Sequence, residues 1–262
     1  MRVALFITCL ADSFSPRSGI ATVRLLEWLG YEVVFPRAQT CCGQPMFNNG
    51  YHDEASRLAR HMVDVFEPFD VVVTPSGSCA ATIRENLPTL FGDTTEADEV
   101  RRLGARTFET VEFLMRVLKV DLRELGACRP GRVTYHYSCH LRGLGIQPAD
   151  MERVLSQIAD LEYVPMERID LCCGFGGTFA LHYPTISGQM VHDKLECARR
   201  AEADTLVCND TGCLMNIAGA WRRAGLPRMQ FLSMVELIAE SLGLMGDLDS
   251  VGSGVDGMGT HA

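Results

Sequence analysis

The chain has 262 residues, is 47% hydrophobic and 22% charged, and carries a formal charge of −9 from 24 Lys+Arg against 33 Asp+Glu. That mix excludes global disorder and collagen-like repeats, and it leaves room for one large domain or two of ordinary size. The acidic balance, with Arg101–Arg102, Arg199–Arg200 and Arg222–Arg223 as isolated doublets, argues against a nucleic-acid surface, and no run of about 18 apolar residues exists to span a membrane.

In chain order, Val3–Ile7 is an apolar run that predicts a buried strand leading to Cys9. The segment Met1–Cys9 lacks the length and small-residue cleavage site of a signal peptide, so a cytoplasmic location is expected. Ser15 and Pro16 then open a helix with Ile20, Val23 and Leu26 at helical spacing, and Gly30 ends it. Glu32–Phe35 predicts a strand shortly before Cys41-Cys42-Gly43. Ala55, Leu58, Ala59, Met62, Val63 and Phe66 form an amphipathic helical stripe, and Val71–Val73 is a buried strand running towards Cys79. The same grammar returns. Val133–Tyr137 leads to Cys139, and a helix starts near Pro148 with Met151, Val154, Leu155 and Ile158. Leu161–Val164 precedes Cys172-Cys173-Gly174. Met190, Val191, Lys194, Leu195 and Ala198 make a weaker stripe, and Thr205–Val207 runs to Cys213. Residues 246–262 are rich in Gly, Asp and Ser with little to bury, which predicts a disordered tail.

The cysteines carry the argument. Cys139 follows Cys9 by 130 residues, Cys172 follows Cys41 by 131, and Cys213 follows Cys79 by 134. Three landmarks that repeat with so little drift indicate a tandem duplication. The expected organisation is a first lobe at 1–127, a second at 128–245 and a tail at 246–262. Strands alternating with helices give an α/β fold of two pseudo-symmetric lobes, each a small parallel sheet with flanking helices. In such sheets ligands collect beyond the carboxyl ends of the strands, where Cys9, Cys79, Cys139 and Cys213 fall. Each lobe therefore gathers four cysteines on a rim of loops.

Eleven cysteines in a chain of this length are too few for a disulfide scaffold, and the odd count favours metal or redox chemistry. Four soft ligands per lobe suit zinc or an iron–sulfur cluster. Structural zinc usually takes a Cys-x2–4-Cys knuckle, which neither quartet has, whereas adjacent cysteines splay their side chains apart and suit a multi-iron cluster. The following glycine permits a positive φ and close approach of backbone to sulfide. Gly174-Phe175-Gly176-Gly177 lacks the spacing of a phosphate loop and reads as a turn that lets backbone approach the site.

The pattern Cys, Cys-Cys-Gly, Cys, twice over, resembles the CCG cysteine-rich domain proteins. These include the cysteine-rich subunit of heterodisulfide reductase and the glycolate oxidase iron–sulfur subunit. The match is closer to the lactate-utilization protein A family, through Thr8-Cys9, Cys41-Cys42-Gly43-Gln44-Pro45, Pro75-Ser76-Gly77-Ser78-Cys79, Tyr135-His136-Tyr137-Ser138-Cys139, Cys172-Cys173-Gly174-Phe175-Gly176-Gly177-Thr178-Phe179 and Cys213-Leu214-Met215-Asn216-Ile217. The resemblance implies an iron–sulfur electron-transfer subunit for the oxidation of L-lactate to pyruvate. One cluster of [4Fe–4S] type per lobe is implied, held by Cys9, Cys41, Cys42 and Cys79 and by Cys139, Cys172, Cys173 and Cys213. It implies two partners, a larger ferredoxin-like iron–sulfur protein and a third small subunit. The wider pattern ends in Cys-x-x-Cys, and here Ser76 and Asp210 stand where its first cysteine would be, which argues against a five-thiolate noncubane cluster.

Asp210 is then a ligand or a helix cap, and Cys208 is a candidate fifth thiolate. His136 and His140, flanking Cys139, are candidates for proton movement beside a cluster, or ordinary surface or satisfied polar groups. Cys128 and Cys197 lie off the pattern and are expected to be packing residues. Other readings are a second 2-hydroxyacid system such as glycolate oxidation, a heterodisulfide-reductase-like protein, a structural-zinc protein and a thiol redox sensor.

Overall fold

Short β-branched runs become the centres of two parallel sheets in the computed structural model, which describes residues 1–246. The first sheet has β1 (Arg2–Leu5), β2 (Glu32–Val34), β3 (Val72–Thr74) and β4 (Thr107–Glu109) in the order β2-β1-β3-β4. The second has β5 (Cys128–His136), β6 (Ala159–Tyr163), β7 (Thr205–Cys208) and β8 (Gln230–Ser233) in the matching order β6-β5-β7-β8. All pairings are parallel, with Ala4 beside Val72 in one sheet and Tyr135 beside Val207 in the other. Of the tail, 247–262 lies outside the described residues.

The fourth strand of each sheet was not expected from the sequence. β4 and β8 have three and four residues, too short for a periodicity, and each runs directly into a capped helix. Glu109 caps the turn Thr110–Glu112 and Ser233 caps the helix Met234–Ser241, both with reciprocal bonds to a glutamate three residues on.

The main core draws on both sheets. Val3, Leu25, Val73 and Phe113 from the first half pack in one cluster with Tyr135, Leu141, Val207 and Leu237 from the second. Full burial of side chains of this size contributes roughly 1.5–3 kcal/mol each. The helix Pro16–Trp28 packs on the helix Met234–Ser241, so the end of the described chain closes against its beginning. Smaller clusters lie behind each sheet, around Phe6, Met62 and Phe66 in one half and Leu206, Ile217 and Trp221 in the other. In each sheet the strand order reverses between the two central strands, β1 and β3 or β5 and β7. Their carboxyl ends open the crevice where such folds bind ligands.

Candidate metal centre

Every one of those four strand ends delivers a cysteine. Cys9 opens the helix Cys9–Phe14, Cys79 sits in the helix Gly77–Ala81, Cys139 opens the 3-10 turn Cys139–Arg142, and Cys213 lies in the first turn of the helix Thr211–Arg223. The paired cysteines arrive on loops that turn at a left-handed glycine, with φ of 84° at Gly43 and 80° at Gly174. Gly174 is also sterically required, because a Cβ there would lie 2.7 Å from the Ser187 carbonyl oxygen and 2.9 Å from Met190 Cβ. Its amide donates to Cys172 Sγ at 3.4 Å. Gly176 and Gly177 also have positive φ, as expected of a tight turn.

The structure brings all eight pattern cysteines to the wall of one cavity of ≈ 350 Å³, between the two halves. Within each quartet the thiols influence one another's ionisation in a chain. In the first, Cys9 Sγ lies 3.8 Å from Cys41 Sγ, Cys41 interacts with Cys42, and Cys42 with Cys79. In the second the chain runs Cys139, Cys172, Cys173, Cys213 and on to Cys208. The electrostatics repeat as well. Hydrogen bonds from Cys42 and Cys9 lower the Cys41 thiol, and bonds from Cys139 and Cys173 lower Cys172. Their neighbours Cys9, Cys42, Cys139, Cys173 and Cys213 are raised, led by the same thiol contacts and by burial. In each quartet one thiol is thus biased towards the thiolate while the raised neighbours favour their protonated form. All eleven cysteines are free. A set of soft donors lining one cavity, half of them buried, fits a thiophilic metal group.

Hydrogen bonds join the halves around this cavity. Gly77 N–H donates to the Asn209 carbonyl at 2.9 Å, and Ser78 N–H donates to Asp210 Oδ2 at 2.8 Å. The Asn49 amide donates to Thr178 Oγ1 at 2.7 Å, and the Gln44 amide to His140 Nε2 at 2.9 Å. That last bond leaves the His140 proton on Nδ1, where it faces Cys139 Sγ at 3.5 Å. His140 is therefore a satisfied polar group that touches a pattern cysteine. Asp210 answers its own question, since Oδ1 accepts from Gly212 N–H at 3.1 Å and from Cys213 N–H at 3.4 Å. With both oxygens engaged by backbone amides, it is a helix cap and an inter-lobe clasp.

Three findings depart from expectation. His136 is 1% exposed, and neither ring nitrogen has a hydrogen-bond partner among the described residues, so it is neither a surface group nor a satisfied one. Burial holds it neutral, with a pKa lowered to about 3, which removes it from proton movement near neutrality. Cys128 is exposed and faces Asp160 at 3.3 Å rather than packing, whereas Cys197 is buried in the core behind the second sheet. Lys194, in the sequence only one member of a helical stripe, is fully buried. Its Nζ bonds the carbonyls of Arg168 at 3.1 Å and Ile169 at 3.2 Å, and desolvation lowers its pKa to about 8. A lysine at a core position of an amphipathic stripe was the available signal.

Comparison with known proteins gives the arrangement a family. The cysteine-rich (CCG) domain matches residues 3–84 and again 133–218, the two halves found in the structure. Lactate utilization protein A of Geobacillus thermodenitrificans is 48% identical over 228 residues, which is 87% of this chain and 94% of that protein. The chain belongs to the lactate utilization protein A family of CCG-domain proteins. The family member of that name from Exiguobacterium is 43% identical over 244 residues, covering 92% of this chain and 98% of its own. Among solved structures, a hypothetical protein from Helicobacter pylori shares the fold with a TM-score of 0.60 at 12% identity. The match spans 94% of this chain and 49% of that longer one. No helix among the described residues is long and apolar enough to cross a membrane.

Proposed function

We propose that this chain is an iron–sulfur electron carrier for the oxidation of L-lactate to pyruvate. One [4Fe–4S]-type cluster would sit in each of the lobes 1–127 and 128–245. The observation that carries the reading is the pair of thiol chains on one cavity wall. Cys9, Cys41, Cys42 and Cys79 would hold the first group and Cys139, Cys172, Cys173 and Cys213 the second. Bound there, such a group accepts and passes on single electrons. Four thiolates per quartet, with no short knuckle within either quartet, favour iron–sulfur over zinc.

The substrate is supported by the names of the relatives, and the chemistry agrees with it. Oxidation of a 2-hydroxyacid to a 2-oxoacid releases two electrons and two protons, and two one-electron sites match the electron pair. The chain's own residues supply the frame. The amides of Gly174, Gly212 and Cys213 fix the loops that present the sulfurs. The contacts between lobes fix the relation of the two quartets. We place the hydroxyacid chemistry itself on partners. We assign these as a larger ferredoxin-like iron–sulfur protein and a third small subunit, working in the cytoplasm.

Anaerobic purification of the full chain is expected to yield iron and sulfide in excess over zinc. Replacing Cys172 and Cys173 together by Ser should remove about half of the iron, because one lobe loses its thiolates. Unchanged iron in that variant overturns the ligand assignment, and lactate oxidation at full rate by this chain alone overturns the division of labour.

A further inference from the structure

Behind the cavity wall of the second lobe lies a group that the cysteine framework does not account for. His136, Cys208 and Cys213 place one ring nitrogen and two sulfurs within 4.8 Å of one another, and all three residues are buried. The fold sets them there. His136 ends β5, Cys208 ends β7, and the two are paired directly in register, while Cys213 follows in the next helix.

His136 has no hydrogen-bond partner for either nitrogen among the described residues. Leaving such a group buried and unpaired costs roughly 1–3 kcal/mol, and ligation to a metal satisfies one of its two nitrogens. Cys208 is held in place by polar neighbours. Its sulfur accepts from Asp210 N–H at 3.3 Å and lies 3.1 Å from Ser138 Oγ. Imidazole nitrogen and thiolate sulfur together suit iron or zinc rather than hard cations.

Among the described residues, the first lobe has no such set. Three residues before Cys9, where His136 stands before Cys139, is Phe6, and five residues before Cys79, where Cys208 stands before Cys213, is Thr74. Both are fully buried, and Phe6 packs edge-on against Phe66. Duplication has therefore kept the cysteines in step, while two buried positions that cannot ligate a soft metal in one copy carry metal-ligating side chains in the other.

We propose that His136 and Cys208 join Cys213 as metal ligands, so that the second lobe's centre has a histidine nitrogen donor while the first lobe's is held by sulfur alone. This rests on the iron–sulfur reading above. The test uses the full chain, prepared anaerobically with iron, once with ordinary and once with 15N-labelled histidine, and reduced with dithionite. Pulsed EPR is expected to show a directly coupled nitrogen that changes to the 15N pattern on labelling. The coupling should survive His140→Gln and be lost in His136→Phe, which installs the first lobe's residue. An iron-loaded chain whose reduced centres show no histidine coupling overturns this inference alone, as does coupling lost in His140→Gln or retained in His136→Phe. A chain that holds no iron overturns the inference and the proposed function together. The labelling arm needs no substitution, so a failure of His136→Phe to fold leaves it decisive.

Discussion

Asp210 is the residue on which the two halves and the site depend together, and its removal has a calculable cost. Its carboxylate caps the helix Thr211–Arg223 through Gly212 and Cys213, and it accepts a 2.8 Å bond from Ser78 N–H in the other half. Loss of an N-cap costs about 1 kcal/mol. A buried amide left without its charged acceptor costs a further ~1–3 kcal/mol. Asp210→Ala should therefore destabilise the metal-free protein by about 2–4 kcal/mol, or roughly 4–16 °C in Tm for a chain of this size. Asp210→Asn separates the terms. Its carbonyl oxygen can keep the cap, but its NH2 then faces the Ser78 N–H, so it should lose the inter-lobe share and retain the cap. The assay is thermal unfolding followed by circular dichroism on metal-free protein. An Asp210→Ala variant within about 1 °C of the parent, or an Asn variant no better than Ala, would refute the two-part account.

Two further effects follow from buried groups. Burial pushes Glu109 up to about 8 from an ordinary 4.5. Between those values the folded state holds the extra proton, so this residue makes stability fall as pH rises from about 4.5 to 8. Glu109→Gln keeps an oxygen for the Val111 and Glu112 amides, and its Tm advantage should grow from about pH 5 to pH 8; an advantage independent of pH would contradict the assignment. The two Cys-Cys-Gly glycines should differ in tolerance. Gly43→Ala meets only ordinary contacts at 3.7 Å and should cost the left-handed strain of about 1–2 kcal/mol. Gly174→Ala adds clashes with Ser187 and Met190 worth a further ~1–3 kcal/mol, and equal unfolding midpoints for the two variants would count against this packing.

The periodic parts of the fold were legible in the sequence because each depends on a local pattern. β1, β3 and β7 are short apolar runs, as is the buried end of β5, and the Ala55–Phe66 stripe is a helix through that span. The repeat of three cysteine landmarks placed Cys9, Cys79, Cys139 and Cys213 just beyond strand ends and the two Cys-Cys pairs on loops, where the structure has them. β4 and β8 escaped because three or four residues carry no period, and their places are set by partners at the far side of each sheet. The joining of the two quartets in one cavity was not legible either. It depends on a core shared by both sheets and on bonds such as Ser78 to Asp210 that link residues 132 apart. The state of His136 and Lys194 was hidden for the same reason. Polarity is read along the chain, but burial is decided by what packs across it.

The shared core also sets a timetable. Between the synthesis of Cys79 and that of Cys213 the ribosome adds 134 residues, on the order of 7–27 s at about 5–20 residues per second. Throughout that interval Val3, Leu25 and Val73 lack the part of their shared core that lies beyond Cys213, including Leu232 and Leu237. The first quartet meanwhile lines only half of its cavity, open on the side that the second lobe will cover. The nascent chain thus displays an unpaired apolar face beside four accessible thiols for many seconds. Completion of the site consequently waits until Cys213 and its helix have been made.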